Sequence, residues 1–223
     1  MTTLHGALAP SWSLRVAQVR GFWAPSSDDR WGLAVDDRLV YVADASGPTY
    51  GGHYAPVAVD AGLAAFVTAF GNGQGGALGS LRRSLAATND TMRCIARDEN
   101  VDRPMSLAHA TTSLTALYLA TGDRLAVLQV GSSRAYLVRD GKLHVPVPEH
   151  TLATTLAAEG RSVDEFPASW RVVTRLLGFS DHVTADQAMV ALEPGDMFVL
   201  CSDGAWACAS FEKRLLAWLA SFP

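Results

Sequence analysis

The sequence has little of what marks secreted, nucleic-acid-binding or membrane-spanning proteins. Its three cysteines, an odd number without an informative spacing, favour reduced thiols and a cytoplasmic location. Eighteen Lys and Arg against 22 Asp and Glu give a net charge of -4. No basic cluster is present, so nucleic acid is not an expected partner. No apolar run is long enough to cross a bilayer, and the first residues lack the pattern of a signal peptide, so no membrane partner is expected either.

What the chain does have is apolar material for one sizeable core. Hydrophobic residues make up 49% of its 223 residues, and no linker divides them, so we predict one domain over residues 1–223. Strand hairpins are predicted before and after two central helices at 56–70 and 81–100, and a last helix at 211–219. The glycine-rich stretch 71–79 is predicted to be a loop. This order predicts an antiparallel α+β domain in layers rather than a doubly wound parallel sheet.

The most informative stretch is the end of the apolar run at residues 39–43. Its β-branched and aromatic residues predict a buried strand, which ends at Asp44 and gives way to small, turn-forming residues. A carboxylate at a strand end, beside backbone without bulky side chains, suits a hard cation such as Mg²⁺ or Mn²⁺. The alternative is that Asp44 caps the next turn and the glycines only permit positive φ.

Two other acidic residues stand in related positions. Asp203 follows the predicted strand 197–201 and precedes a glycine, as a second carboxylate at the end of an apolar strand. Asp28 precedes the strand that leads back to Asp44, and a hairpin would bring these two together. The three acids form a plausible metal site. The remaining acids near turns are interpreted as turn or surface residues: Asp29, Asp36, Asp37 and Asp196.

Several segments, in the same order, resemble those of bacterial metal-dependent protein phosphatases of the PPM (type 2C) family. They are the block at 111–149 with its Val-Gly-Ser-Ser-Arg-Ala-Tyr segment, VVTRLLG at 172–178 and LCSDGAWA at 200–207. The similarity extends over residues 14–207. Several blocks in one order are far more specific than any one of them alone.

The resemblance implies two antiparallel sheets packed as a sandwich, flanked by antiparallel helix pairs, with two Mg²⁺ or Mn²⁺ ions at one edge. Asp44 would bridge the ions, helped by the backbone carbonyl of Ala45. Asp203 would bind one ion, and Asp28 would bind the other through water. A water whose pKa the ions lower would attack phosphoserine or phosphothreonine. No side chain beyond these ligands is assigned to catalysis, and the substrate-binding residues stay unassigned.

The chain also departs from the family pattern. The family's phosphate-binding arginine falls near Ala24, and the nearest arginines, Arg20 and Arg30, are out of register, which should weaken phosphate binding. Ser132 stands where the family has a carboxylate that serves an additional metal. The loop after Asp44 is longer than in the family. The family's last metal-binding Asp-Asn pair lies beyond Pro223, so we expect a shortened C-terminus without that ligand.

Two functions are therefore compatible with the sequence. The first is hydrolysis of phosphoserine and phosphothreonine by an impaired two-metal site. The second is a catalytically inactive pseudophosphatase that acts as a regulatory module, with a phosphoprotein or a Ser/Thr kinase as its partner.

Two other residues that often carry chemistry are interpreted structurally. His150 precedes the predicted helix 152–159 and is expected to cap it. Cys201 lies on an apolar strand and is expected to be an inert, small hydrophobic residue.

Overall fold

The computed structural model describes residues 2–8, 12–16, 29–46, 54–72, 75–97, 110–121, 123–163, 168–208 and 210–220. In these segments the chain forms helices and strands in the order β1 (Thr2–Leu8), β2 (Trp12–Val16), β3 (Arg30–Ala34), β4 (Leu39–Ala43), β5 (Ala45–Ser46), α1 (Tyr54–Gly71), α2 (Ala77–Arg97), β6 (Thr111–Thr112), β7 (Leu114–Leu119), β8 (Arg124–Val130), β9 (Arg134–Arg139), β10 (Lys142–His144), α3 (Leu152–Ala158), a 3-10 helix (Ser169–Arg171), β11 (Asp186–Ala191), β12 (Met197–Cys201), α4 (Asp203–Trp206) and α5 (Phe211–Leu219).

The strands form two main antiparallel sheets. The larger has five strands in the order β11-β8-β7-β4-β3, and the smaller has three in the order β10-β9-β12. Two short ladders, β1-β2 and β5-β6, complete the described strands. The predicted α+β sandwich is therefore confirmed, whereas a single domain over residues 1–223 stays a prediction.

Alternation along β8 shows how the layers are built. Leu128 and Val130 point to a core shared with α1 and α2, while Leu125 and Val127 point to a core between the two sheets. Because β8 is buried on both faces, its sequence is a nearly continuous apolar run. A third core, which includes Trp206, lies between the smaller sheet and helices α4 and α5. The layers therefore run helices, sheet, sheet, helices.

Both predicted central helices are present, and α5 spans the predicted residues. The predicted loop 71–79 is wrong at its end, because α2 already begins at Ala77 and includes Gly79. Glycine disfavours a helix by only about 1 kcal/mol. Burial of Leu81 and Leu85 on the α1-facing side of α2 outweighs that cost. Among the described helices, none is both long and apolar enough to cross a membrane.

Candidate metal centre

Three aspartates meet at one edge of the sandwich, each beside the end of a strand. Asp44 directly follows β4, and Asp29 directly precedes β3. The antiparallel register pairs Arg30 with Ala43, so Asp29 and Asp44 lie side by side at that edge. Asp203 comes two residues after β12 of the other sheet. We call Asp29, Asp44 and Asp203 the acidic cluster.

The side chains of Asp203 and Asp29 lie near enough to Asp44 for their charges to act on its carboxyl group. The Oγ of Ser202 donates a hydrogen bond of 2.9 Å to Oδ2 of Asp29. Burial, and then the negative charges of Asp203 and Asp29, raise the pKa of Asp44 to about 8. The cluster therefore gathers negative charge that a bound cation would offset.

The backbone of Asp44 is held by the start of the β6-β7 segment. Its carbonyl accepts hydrogen bonds of 3.0 Å from Thr112 Oγ1 and 3.0 Å from the Ser113 amide. Its own amide donates to Ser113 Oγ at 3.3 Å. Ala45 is paired with Thr112 in the β5-β6 ladder. These contacts fix the direction in which Asp44 leaves its strand, and they occupy the Asp44 carbonyl.

The donor chemistry of this edge fits Mg²⁺ or Mn²⁺, which prefer carboxylate and carbonyl oxygens. Within the described part of the chain, no three Asp, Glu, His or Cys side chains converge closely enough to hold an ion by themselves. The acidic cluster is thus a partial set of ligands. Asp44, Asp203 and Asp29, together with the Ala45 carbonyl, are the groups that could contribute to a metal site.

The structure brings together some of the acids singled out in the sequence and adds one. Asp44, Ala45 and Asp203 lie at the same edge, and their role as ligands stays a prediction. Asp28 lies outside the described residues. Asp29, interpreted above as a turn or surface residue, instead lies beside Asp44 at this edge. The reason is that β3 begins at Arg30, which is paired with Ala43, so that Asp29 occupies the position opposite Asp44.

Arg134, at the start of β9, holds the segment that carries Asp203. Its Nε and Nη2 bind both carboxylate oxygens of Glu149 at 2.8 and 2.5 Å. Its Nη1 donates to Tyr136 Oη at 2.9 Å. The guanidinium carbon lies 3.7 Å from the ring centre of Trp206, whose Nε1 donates to the Ser132 carbonyl at 2.8 Å. We call these residues the Arg134 network.

The Arg134 network is built to fix position rather than to bind a ligand. Burial opposes ionisation of Glu149, but the hydrogen bonds and charge of Arg134 lower the pKa of that carboxyl below its usual value. Trp206 lies three residues after Asp203, in α4. Since all three nitrogens of Arg134 are bound inside the protein, this arginine does not replace the family's phosphate-binding arginine.

His150 does not cap α3, contrary to the expectation above. Thr151 is the N-cap, and its side chain accepts a hydrogen bond from the Thr154 amide. His150 is buried, and its Nδ1 accepts a hydrogen bond of 3.1 Å from the Gly131 amide. Its Nε2 lies 3.0 Å from Arg175 Nη1 and 3.3 Å from Asp186 Oδ2. We call this contact of four chain segments the His150 junction.

The His150 junction should make the stability of the fold depend on pH. Burial and then the Arg175 charge lower the pKa of His150, while Asp186 and Glu149 oppose that shift. The unfolded chain binds a proton at His150 near pH ~6.5, and the folded chain does so only at lower pH. The contribution of neutral His150 to stability is therefore fully present above that pH and is lost as the pH falls.

We expect the melting temperature to fall more steeply from about pH 7.5 to about pH 5.5 in the wild type than in His150→Gln. Glutamine keeps an oxygen that can accept from the Gly131 amide but takes up no proton. Thermal unfolding followed by circular dichroism measures both slopes. Parallel slopes would contradict the assignment of this pH dependence to His150.

Two further residues complete the comparison with the sequence. Asp196 lies in the β11-β12 turn, as expected, but its side chain is 1% exposed and bound to Arg139, so it is not a surface residue. Burial raises the pKa of Cys201 to about 12, which agrees with an unreactive thiol on a half-buried strand.

The fold has close counterparts among solved structures. The Mycobacterium tuberculosis serine/threonine phosphatase PstP/Ppp is 29% identical and superposes with a TM-score of 0.74, over 91% of this chain and 83% of that chain. The catalytic domain of serine/threonine protein phosphatase PstP, solved in complex with two manganese ions, is 30% identical with a TM-score of 0.73, over 92% and 82% of the two chains.

Comparison of sequences gives the same relatives over a shorter region. The serine/threonine protein phosphatase PstP of Mycobacterium tuberculosis is 36% identical over 110 residues, 48% of this chain. The matched region spans 21% of the length of that curated relative. No protein-family model matches the sequence.

These similarities define the protein as one with the type 2C phosphatase fold. The chain belongs to the bacterial PPM family of Ser/Thr protein phosphatases. The family resemblance of the sequence segments is therefore confirmed.

Proposed function

We propose that the chain is a Mg²⁺- or Mn²⁺-dependent phosphatase domain that hydrolyses phosphoserine and phosphothreonine in proteins, with a weakened site. The acidic cluster carries this proposal, because Asp29, Asp44 and Asp203 gather beside three strand ends at one edge, where a bound cation would offset their negative charge. The catalytic domain of PstP, which is similar over 92% of this chain, was solved with two manganese ions.

In this proposal Asp44, Asp203 and Asp29 hold the ions with the carbonyl of Ala45, and Asp28 stays an alternative ligand on the side of β3. When bound, such ions lower the pKa of a water molecule and offset the charge that develops on a transferring phosphoryl group. Neighbouring residues of this chain hold the ligands in position. Thr112 and Ser113 fix the backbone of Asp44, and Ser202 orients Asp29.

The contacts of Arg30 support a weakened rather than an optimal site. Its Nε donates to Asp60 Oδ1 at 2.7 Å, and its Nη1 donates to the Asp29 carbonyl at 3.2 Å. An arginine held in this way is poorly placed to bind a phosphate through both of its outer nitrogens. Ser132 is buried and offers no carboxylate where the family pattern has one.

The same observations support the second candidate, a pseudophosphatase that binds a phosphoprotein or a Ser/Thr kinase without turnover. Its fold would be the same, and only the chemistry at the acidic cluster would be lost. The two candidates differ in one measurable property, which is hydrolysis in the presence of metal.

Calorimetric titration of Mn²⁺ into metal-stripped protein, followed by hydrolysis assays on a panel of phosphoserine and phosphothreonine peptides, tests the proposal. We expect saturable Mn²⁺ binding and Mn²⁺-dependent release of phosphate that a chelator stops. Binding of Mn²⁺ without hydrolysis of any peptide would favour the pseudophosphatase. No binding at millimolar Mn²⁺ would contradict the metal site and with it the phosphatase proposal, and would also favour the pseudophosphatase.

The position of Asp29 gives a sharper prediction about which acid serves the site. Asp29→Asn should weaken Mn²⁺ binding about 10-fold or more, since it removes one anionic oxygen donor from the cluster. Asp36→Asn is a matched control, because Asp36 lies in the turn at the other end of the same hairpin. Calorimetry on both variants and on Asp28→Asn shows whether Asp29 or Asp28 contributes to metal binding. A larger loss in Asp28→Asn than in Asp29→Asn would contradict the assignment.

A further inference from the structure

We propose that Phe179 is a docking residue for the phosphoprotein substrate and contacts an apolar side chain a few residues from the phosphorylated one. This inference rests on the proposed function and names a preference of the same site. Phe179 lies in a short segment, residues 178–182, that we call the Phe179 loop. Three properties of this loop carry the proposal: its exposure, its rigidity and its connection to the acidic cluster.

Phe179 is more exposed than any other large hydrophobic residue in the described part of the chain. Its side chain is 72% exposed, compared with 54% for the next, Val57. Single exposed apolar residues are ordinary on protein surfaces and need no explanation by themselves. A phenylalanine at the tip of an anchored loop is different, because aromatic side chains on rigid supports make effective anchors at interfaces.

The Phe179 loop is tied to α2 by a buried amide. Asn89 is 2% exposed, and its Nδ2 donates to the carbonyls of Ser180 and Asp181 at 3.0 and 3.3 Å. Its Oδ1 accepts from the Gly178 amide at 2.9 Å. Arg93 adds an ion pair to the Asp181 carboxylate. One side chain thus holds both ends of the segment that presents Phe179.

Close backbone packing fixes the start of the loop. Gly178 has a φ of +82°, and a Cβ at this position would lie 2.3 Å from the carbonyl oxygen of Ala110. Only glycine fits this conformation and this space. The loop is therefore held on both sides, and Phe179 projects from it at little further cost in conformational entropy when it binds a partner.

The loop is directly connected to the acidic edge. The amide and carbonyl of Leu177 exchange hydrogen bonds of 3.0 and 3.1 Å with Thr112. Thr112 is in turn paired with Ala45, the residue after Asp44. Two strand spacings put Leu177 about 10 Å from Ala45. Phe179 lies two residues further along the chain, up to about 7 Å from Leu177. An extended peptide advances about 3.3 Å per residue, so a residue roughly three to five positions from a phosphoserine at the cluster would reach Phe179.

The charged groups beside the loop are satisfied within the chain, which argues for an apolar contact. Arg93 is paired with Asp181, and Arg175 is paired with Asp186 at 2.8 Å. The large apolar feature that the loop offers to a substrate is therefore the phenyl ring. A folded or extended phosphoprotein segment with Leu, Ile, Met or Phe at that distance fits this chemistry.

The test uses phosphoserine peptides that carry one leucine at each position up to five residues on either side, with serine as the matched replacement. Wild type, Phe179→Ala, Phe179→Leu and Trp218→Ala are compared in Mn²⁺. Trp218 is a matched control, since it is 45% exposed on α5, in the layer that covers the smaller sheet. The measurements are kcat and KM, peptide binding by fluorescence anisotropy, and hydrolysis of p-nitrophenyl phosphate.

We expect leucine three to five positions from the phosphoserine to lower KM of the wild type about 10-fold relative to serine, with kcat little changed. Phe179→Ala should lose this preference, whereas Phe179→Leu and Trp218→Ala should keep most of it. Hydrolysis of p-nitrophenyl phosphate, which is too small to reach the loop, should be the same in all four proteins. The same leucine preference in wild type and Phe179→Ala would overturn the proposal.

Failure of the proposed function gives a different result from failure of this inference. If no peptide is hydrolysed, the phosphatase proposal fails and the anisotropy measurements decide the role of Phe179. Leucine-dependent peptide binding that Phe179→Ala removes would then support the docking residue. Binding that does not depend on leucine, or that Phe179→Ala leaves unchanged, would overturn it.

Discussion

Replacing Arg134 with methionine should lower the free energy of unfolding by about 3–5 kcal/mol, the usual cost of removing one partner from a buried ion pair. The side chains of Arg134 and Glu149 are only 18% and 8% exposed, so the carboxylate left behind is poorly solvated. The substitution also removes the contact with Trp206 and the hydrogen bond to Tyr136. Urea denaturation at neutral pH, followed by fluorescence and circular dichroism, measures the change.

A surface arginine provides the matched control for this measurement. Arg161 is paired with Glu159 at 3.6 Å, and the two side chains are 52% and 55% exposed. Arg161→Met should change the free energy of unfolding by about 0–1 kcal/mol. Adding Glu149→Gln to Arg134→Met should recover part of the loss, since it removes the unpaired charge. Similar losses in Arg134→Met and Arg161→Met would show that the Arg134 network contributes no more to the free energy of unfolding than a surface ion pair does.

The fold was predictable from the sequence because its signals are local. Strand β12 and helix α5 have the predicted bounds, since an apolar run of five residues lies between Asp196 and Ser202, and an amphipathic run of nine follows Ser210. The two-sheet sandwich was then predicted from the segments that resemble the family and from their order. The first turn of α2, which contains Gly79, was predicted as loop because glycine lowers helix propensity, although it does not forbid a helix.

The candidate site was less predictable because it depends on contacts between distant segments. Asp28 and Asp29 are neighbours, and only the register of β3 against β4 shows that Asp29 faces Asp44. A shift of one residue in a strand reverses which side chain meets its partner. His150 likewise meets Gly131, Arg175 and Asp186 across the fold. Nothing in the local sequence around His150 indicates those contacts.

Replacing Asp44 with asparagine should reduce Mn²⁺-stimulated hydrolysis of phosphopeptides about 100-fold or more, because the contribution of metal ions to phosphoryl transfer amounts to several kcal/mol. The same substitution should leave the metal-free protein at least as stable as the wild type. Asparagine keeps the size of the side chain and carries no charge, so it avoids both the burial of a carboxylate and its repulsion from Asp203 and Asp29, which raise the pKa of Asp44.

These opposite effects distinguish a metal ligand from a turn residue. If Asp44 only capped a turn, asparagine would cap it about as well, and the replacement would leave both the stability and the response to Mn²⁺ intact. As a ligand, Asp44→Asn should abolish the rise in melting temperature that Mn²⁺ produces in the wild type, since binding stabilises by mass action. Hydrolysis rates and melting curves, each with Mn²⁺ and with a chelator, give both readouts for wild type, Asp44→Asn and the Asp36→Asn control. Equal Mn²⁺-stimulated activity in wild type and Asp44→Asn would exclude the acidic cluster as the catalytic metal site.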